Sequence, residues 1–393
     1  MLALVEDTAS RMHATDLRVT DLTTVAETQP ELVSQWRELV ECSPEAAIEL
    51  HPDLVLEPAA TGQRRSRGLL VHASSEESGL AQLAVLQEKL VRLPFLRGIP
   101  GRLPLRGLRL VGNQVLGADD ASTARTVIAR FEALLAAPAG APDCILFEDL
   151  ELDSALCRAA EQTSQARALW LAAPQTRWAL RFPAEAPAYW NQFSSKTRYN
   201  FRRTQRQLEH TWSAIREPAQ VAAFLAESAS ISQQSWQAKR LGVRVQSDDL
   251  QVRQFTHLAE LGALRCYLLR SQDTPVAFAI GTQWNGRFRL EEIGYDAAYA
   301  KFSPGTVLLL RMLEDMLACD APEWLDFGFG DGDYKRLFGN HQTSSGTLLL
   351  VSRRLWPTLA TGLNRTGTWL EQTARAGLRR GGWAGWLRKI YRH

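Results

Sequence analysis

Cysteine is scarce and scattered in this chain. The five residues (Cys42, Cys144, Cys157, Cys266, Cys319) form no CxxC pair and are odd in number. A disulfide framework or zinc ribbon is therefore not expected, and a reducing cytoplasm fits best. Histidines are equally sparse, and none shows HExxH spacing, so no metal centre is invoked. No apolar run reaches the ~20 residues needed to span a bilayer. The N-terminal MLALVEDTASRMH carries an acid where a secretory signal needs a basic region and a longer apolar stretch. A large excess of charge of one sign is missing too. A formal net charge of +2 implies no polyanion partner for the whole surface, so any such partner must find a local patch.

What is present is a chain of 393 residues, 45% hydrophobic, long enough for two domains with sizeable cores. Residues 1–16 read as a loose leader. A first α/β unit is expected over 17–176. Its pieces are a strand in DLRVTDL, the helix PELVSQWRELVECS, the strand GLLVHA and an amphipathic helical stretch AQLAVLQEKLVRL. A Pro/Gly/Arg-rich connector, PFLRGIPGRLPLRG, leads to the strand LRLVG, the helix STARTVIARFEALLAA and the strand DCILFEDL. A second unit, 177–355, opens with RWALRF and a Pro-flanked PAEAPAYW. The strand WSAIRE and the helix QVAAFLAESASISQQSWQAKR follow. Next come LRCYLLR, VAFAIGTQW and RFRLEEIGYD, a meander whose second turn is the hairpin signal Asn285-Gly286. It continues through the loop AAYAKFSPG, the apolar helix TVLLLRMLEDMLACD, the strand EWLDFGFG, the short helix DYKRLFG and the strand GTLLLVS.

The stretch SSKTRYNFRRTQRQLE holds five cations and no acid before its last residue. At ~100° per residue, Phe193, Thr197, Phe201, Thr204 and Leu208 share one face. Arg198, Arg202 and Arg206 line up beside it, with Lys196 and Arg203 further round. Such a ridge is either a solvated face or a site for phosphate. Direct nucleic-acid binding is disfavoured because the aromatics are committed to packing. Further on, Ser303-Pro304-Gly305-Thr306 opens a helix. It is expected to leave several backbone N–H groups pointing outward, with Gly305 permitting close approach of an anion. A plain turn would explain the same residues.

YDAAYAKFSPGTVLLL followed by WLDFGFGDGDYKRLFG resembles the C-terminal signature of CelD-type acyltransferases of the GNAT superfamily, relatives of the Fem-type aminoacyl transferases. YWNQFSSKTRYNFRRTQRQL and SQQSWQAKRLG resemble that family's Arg-bearing and Trp-bearing helices. The resemblance is close over 177–352. It is loose over 17–176, where ELVSQWRELVE, HPDLV and LRLVG echo a degenerate first domain. It implies an α/β (α+β) fold of two tandem GNAT-like domains, each a twisted mixed sheet flanked by helices. It also implies transfer of an acyl group, acetyl in the simplest case, from acetyl-CoA or another acyl-CoA to an amine or hydroxyl. Only Gly305, with Lys301 nearby, represents the usual GNAT pyrophosphate loop, so an acyl carrier protein or aminoacyl-tRNA is the alternative donor.

On that resemblance, Lys301, Ser303, Gly305 and Thr306 would hold the donor. Tyr334 would be the leaving-group acid, and Glu292 or its neighbour Glu291 the base; the two point to opposite faces of a regular strand, so one should face the cleft. Asp326 and Lys335 cluster with Tyr334 as further catalytic candidates and Asp333 as an acceptor contact, although Asp326 could simply cap a turn and Tyr334 could be a core aromatic. Arg198, Arg202, Trp236 and Lys239 would serve the acceptor, a small molecule or glycan, in a groove between the domains. The tail 356–393 is basic and Trp-rich. As a helix it would place Trp383, Trp386, Leu387, Ile390 and Tyr391 on one stripe and Arg388, Lys389 and Arg392 opposite. That suits an anionic membrane surface over 375–393, or docking on its own domain. The family's association with surface-polysaccharide production points the same way. The rival readings are a Fem-type transferase, whose tRNA the basic helix would hold, and a non-catalytic interaction protein with a degenerate GNAT fold.

Overall fold

The computed structural model describes residues 17–56, 67–75, 79–95, 102–138, 140–234 and 245–380. The expected leader therefore lies outside the described residues, as do Trp236, Lys239 and the segment 381–393. The chain divides into two compact units. The first takes the described residues up to 35, from 67 to 173 and from 346 on; the second takes 36–56 and those from 174 to 345. Both are mixed α/β structures, sheets flanked by helices. The units are not contiguous halves: the segment after Gln35, with the HPDLV turn, groups with the second unit, and the residues from 346 on group with the first.

In the first unit β1 (Arg18–Asp21), β2 (Gly68–Ser75), β3 (Gly79–Pro94) and β4 (Arg102–Leu110) run antiparallel in order. β5 (Cys144–Glu151) then joins β4 in parallel, reached through the helix Ala121–Ala136. β6 (Arg167–Trp170) completes the unit by pairing with the final strand. The expected helix AQLAVLQEKLVRL is a correction: it is the interior of β3. Its Ala, Leu, Gln, Glu and Lys are good helix formers, but propensity is a weak prior. Leu83 to Leu86 are buried on both faces, and Val91 and Leu93 alternate with exposed neighbours, which is strand burial. β4 likewise begins inside the segment read as connector.

In the second unit β8 (Thr211–Ile215), β9 (Cys266–Ser271), β10 (Thr274–Trp284) and β11 (Arg287–Tyr295) run antiparallel. β12 (Trp324–Phe329) joins β11 in parallel, β7 (Gln175–Arg181) joins β12 antiparallel, and the first five residues of β13 (His341–Val351) pair with β7. The meander stands as expected, with Asn285 and Gly286 both at positive φ (45° and 72°) in the tight turn. Between β11 and β12 runs the helix Pro304–Cys319, apolar on nearly every side and packed among Val276, Phe288 and Leu325. Burying each of its Val, Leu and Met side chains is worth at most ~1.5–3 kcal/mol. Phe278 and Ile280 of β10 face a second core of Phe224, Leu225 and Leu264, on the opposite face of the sheet from Ala277 and Ala279.

The basic helix spans Ser195–Gln207, N-capped by the Ser194 hydroxyl, which accepts from the Thr197 N–H. Phe201 stacks on Phe338 and meets Phe193 edge-on, while Lys196, Arg202, Arg203 and Arg206 stand exposed. The helix Asp249–Glu260, capped by Asp248, was not foreseen.

Candidate active site

β11 and β12 are in register over three residue pairs, Arg287–Arg289 against Trp324–Asp326. β11 also carries a bulge. Ile280 pairs with Glu292 and the next residue, Gly281, with Leu290, so Glu291 is the extra residue. A bulge re-aims side chains that a regular strand would send to opposite faces. Glu291 and Glu292 consequently both line one cleft, which corrects the expectation that only one of them would. The cleft holds about 540 Å³, and its walls come wholly from the second unit, not from a groove between domains. Phe255, Leu258, Leu264 and Ile280 make it apolar; Gln251, Gln254, Glu49 and the two β11 glutamates supply the polar groups.

Glu49 was missed in the sequence, and it arrives from 240 residues away. The segment carrying it is fixed in the second unit by hydrogen bonds: buried Trp36 Nε1 donates to the Leu50 carbonyl (2.8 Å), and the half-buried Asn285 Nδ2 donates to the Val40 (3.1 Å) and Ser43 (2.7 Å) carbonyls. Glu49 then accepts from Arg289 Nη1 at 2.8 Å, and Arg289 Nε lies 3.1 Å from Glu291 Oε1. Beside them Arg177 grips Asp326 through both of its carboxylate oxygens, Nε to Oδ1 at 3.0 Å.

These charges set one another's proton affinities. Burial raises the Glu291 carboxyl above its ordinary range, Glu49 and Asp326 raise it further, and Arg289 and Arg177 only partly offset them. Arg177 and Arg289 are thus shared among three carboxylates, which favours the protonated form of Glu291. Its side chain is still 42% exposed at the cleft, within reach of an incoming molecule. Burial would raise Asp326 as well, but the hydrogen bonds and charge of Arg177, the Gly328 N–H (2.8 Å) and Arg289 hold it below the ordinary range. Asp326 is therefore an ion-pair partner and turn cap, not a free base.

Lys335 is buried, with its Nζ donating to the carbonyls of Gly328 and Phe329; burial lowers its pKa. It secures the turn after β12. Tyr334 packs edge-on against Phe327, and burial pushes its phenol up to about 12. It belongs to the core opposite the cleft and is not part of the lining. Asp333 is fully exposed and pairs with Arg336 (3.1 Å).

At the helix Pro304–Cys319, Ser303 adopts φ +53° and its side chain makes no cap bond. Its carbonyl accepts from the Thr306 (3.0 Å) and Val307 (3.1 Å) N–H groups, so fewer donors point outward than expected; Gly305 N–H is the one left at the tip. A Cβ at Gly305 would lie 3.3 Å from the Tyr295 ring, which marks a crowded approach. Lys301 Nζ sits 4.8 Å from the Phe302 ring centre. Arg198 donates to Asn191 (2.9 Å), and Arg202 has no acidic partner among the described residues. No group of three or more His, Cys, Asp or Glu is placed to hold a metal among the described residues.

The sheet parts between the two parallel strands β11 and β12, and an uncapped helix returns from one to the other. Residues 195–336 match the family described as an acetyltransferase (GNAT) domain, so the second unit carries a GNAT-superfamily acetyltransferase domain. The crystal structure of FemX superimposes with a TM-score of 0.58 at 12% identity, covering 84% of this chain and 98% of that one. The C-terminal domain of a putative lysylphosphatidylglycerol synthetase from Agrobacterium fabrum gives 0.47 at 16%, covering 82% and 91%. A tandem GNAT protein from the clavulanic acid biosynthesis pathway gives 0.46 at 12%, covering 86% and 100%. At 12% identity the likeness to FemX is one of fold. No curated protein matches the chain.

Proposed function

We propose that this chain is an acyltransferase whose acceptor enters the cleft beside Glu291 and Glu292. The observation that carries the reading is the bulge in β11, which sets both carboxylates on one apolar-walled cleft at the point where β11 and β12 part. An amine or hydroxyl of the acceptor attacks the thioester carbonyl carbon, and its proton passes to the Glu291 carboxylate. The C–S bond breaks with its electron pair on sulfur. The thiolate takes its proton from water. The donor, acetyl-CoA or another acyl-CoA, is held at the Gly305 helix terminus with Lys301, Ser303 and Thr306. A glycan or other cell-envelope acceptor, as in exopolysaccharide production, follows from the CelD-type resemblance.

The test is release of free thiol from acetyl-CoA in the presence of a panel of amines and amino sugars. Acceptor-dependent release that Glu291→Gln removes supports the reading; release unchanged by both Glu291→Gln and Glu292→Gln overturns the assignment of the base.

A second donor remains in view because of one observation. The exposed Lys196, Arg202, Arg203 and Arg206 have no acidic partner among the described residues, and such a ridge would suit the backbone of an aminoacyl-tRNA. Its binding would fall steeply with salt as counterions are released.

A further inference from the structure

The helix Leu355–Arg380 closes the first unit, and one side of it is explained by packing. Pro357, Ala360 and Thr361 face inward, with Ala360 against Val91, Leu93 and Leu105. Trp356 Nε1 donates to the Pro104 carbonyl at 3.0 Å, and the Arg354 guanidinium, just before the helix, anchors to Asp143 at 3.1 Å. The other side is not explained. Leu355, Leu359 and Leu363, at i, i+4 and i+8, are 77%, 50% and 44% exposed, with Trp356 at 45% beside them. Isolated exposed leucines need no account, but three in a row on one helix face do.

Charge decides what covers them. From Ser352 to the last residue the sequence has nine Lys and Arg against one acid, Glu371, in a chain whose net charge is only +2. A second copy would set this cationic segment against itself. A leucine and tryptophan stripe within a strongly cationic segment complements an anionic lipid surface, where apolar side chains enter the acyl boundary and Lys or Arg meet the headgroups. Trp383, Trp386 and Tyr391 continue the same composition.

We propose that Leu355, Trp356, Leu359 and Leu363 form a face that seats this chain on an anionic bilayer. The proposal concerns the first unit and does not depend on the transferase reading of the second.

The test is co-sedimentation of the full chain with phosphatidylcholine vesicles, with and without phosphatidylglycerol. Binding is expected only to the anionic vesicles. It should fall roughly tenfold or more in Leu355→Ser/Leu359→Ser/Leu363→Ser, whose exposed positions leave the core intact, as an unchanged Tm would show. A second variant, Arg375→Gln/Arg379→Gln/Arg380→Gln, should weaken binding to a similar degree. Absence of binding to anionic vesicles, or full binding by the serine variant, would overturn the proposal. A dimer that the serine variant converts to monomer would overturn it in favour of a second copy.

Discussion

In the first unit β4 runs parallel to β5 over three residue pairs, and in the second β11 runs parallel to β12 over three pairs. Each pair begins with the last of four antiparallel strands and is joined by one long helix. The helix starts differ. Asp120 closes the first: its Oδ1 accepts the Ser122 (2.7 Å) and Thr123 (3.1 Å) N–H groups, and the Asn113 side chain accepts the Glu148 N–H (3.0 Å), tying β5 to the turn after β4. Ser303 leaves the second start uncapped, and the strand leading to it bulges at Glu291. A carboxylate of the chain already occupies the place where the first unit could receive an anion. The same topology is thus closed in one unit and open in the other.

The largest effect should come from the feature that has no counterpart in the first unit. Glu291→Gln is expected to lower acyl transfer by roughly 10²-fold or more, the worth of a positioned general base. Because the Glu291 carboxyl is raised, wild-type activity should fall as pH drops through that raised value, and the variant should lose this limb. A group raised in the folded state favours folding at low pH and loses that contribution as pH rises. The variant's stability relative to wild type should therefore improve with pH across the same window.

Breaking the support of the open side comes next. Arg177→Ala strands Asp326 in a half-buried site and is expected to cost about 3 kcal/mol, read as a lower denaturant midpoint. Asp326 is depressed, so the pair's contribution is present above the ordinary aspartate value and should vanish as pH falls through the folded one.

Smaller effects compare the two helix starts directly. Gly305→Val crowds the Tyr295 ring and should weaken donor binding roughly tenfold, the loss of about one backbone contact. Asp120→Ala should leave donor binding unchanged and lower Tm slightly. Hydrogen bonds from Ser122 and Thr123 hold the Asp120 carboxyl well below its ordinary range, so this stabilising effect should be lost only in acid. Donor affinity that responds to Asp120 and not to Gly305 would reverse the comparison.

Elements with local signatures were readable in the sequence. The aromatic face of the basic helix, the Asn285-Gly286 turn and the apolar helix after Pro304 all follow from spacing and turn chemistry. β3 was not readable, because a run of helix formers becomes a strand only when the layers on both of its faces exist. At the cleft, the carboxylates were visible as residue types, but their common orientation was not, since one inserted residue in the pairing decides it. Glu49 and Arg177 carried no local signal, being brought to Arg289 and Asp326 by chain reversals over 240 and 149 residues.

The comparison of the two helix starts predicts that the open one receives an acyl-CoA and the closed one does not. Calorimetric titration of the full chain with acetyl-CoA, alongside Gly305→Asp and Asp120→Ala, tests it most directly. Micromolar binding that Gly305→Asp abolishes and Asp120→Ala leaves intact is the predicted result. No heat from the wild type, or binding indifferent to Gly305→Asp, would contradict it.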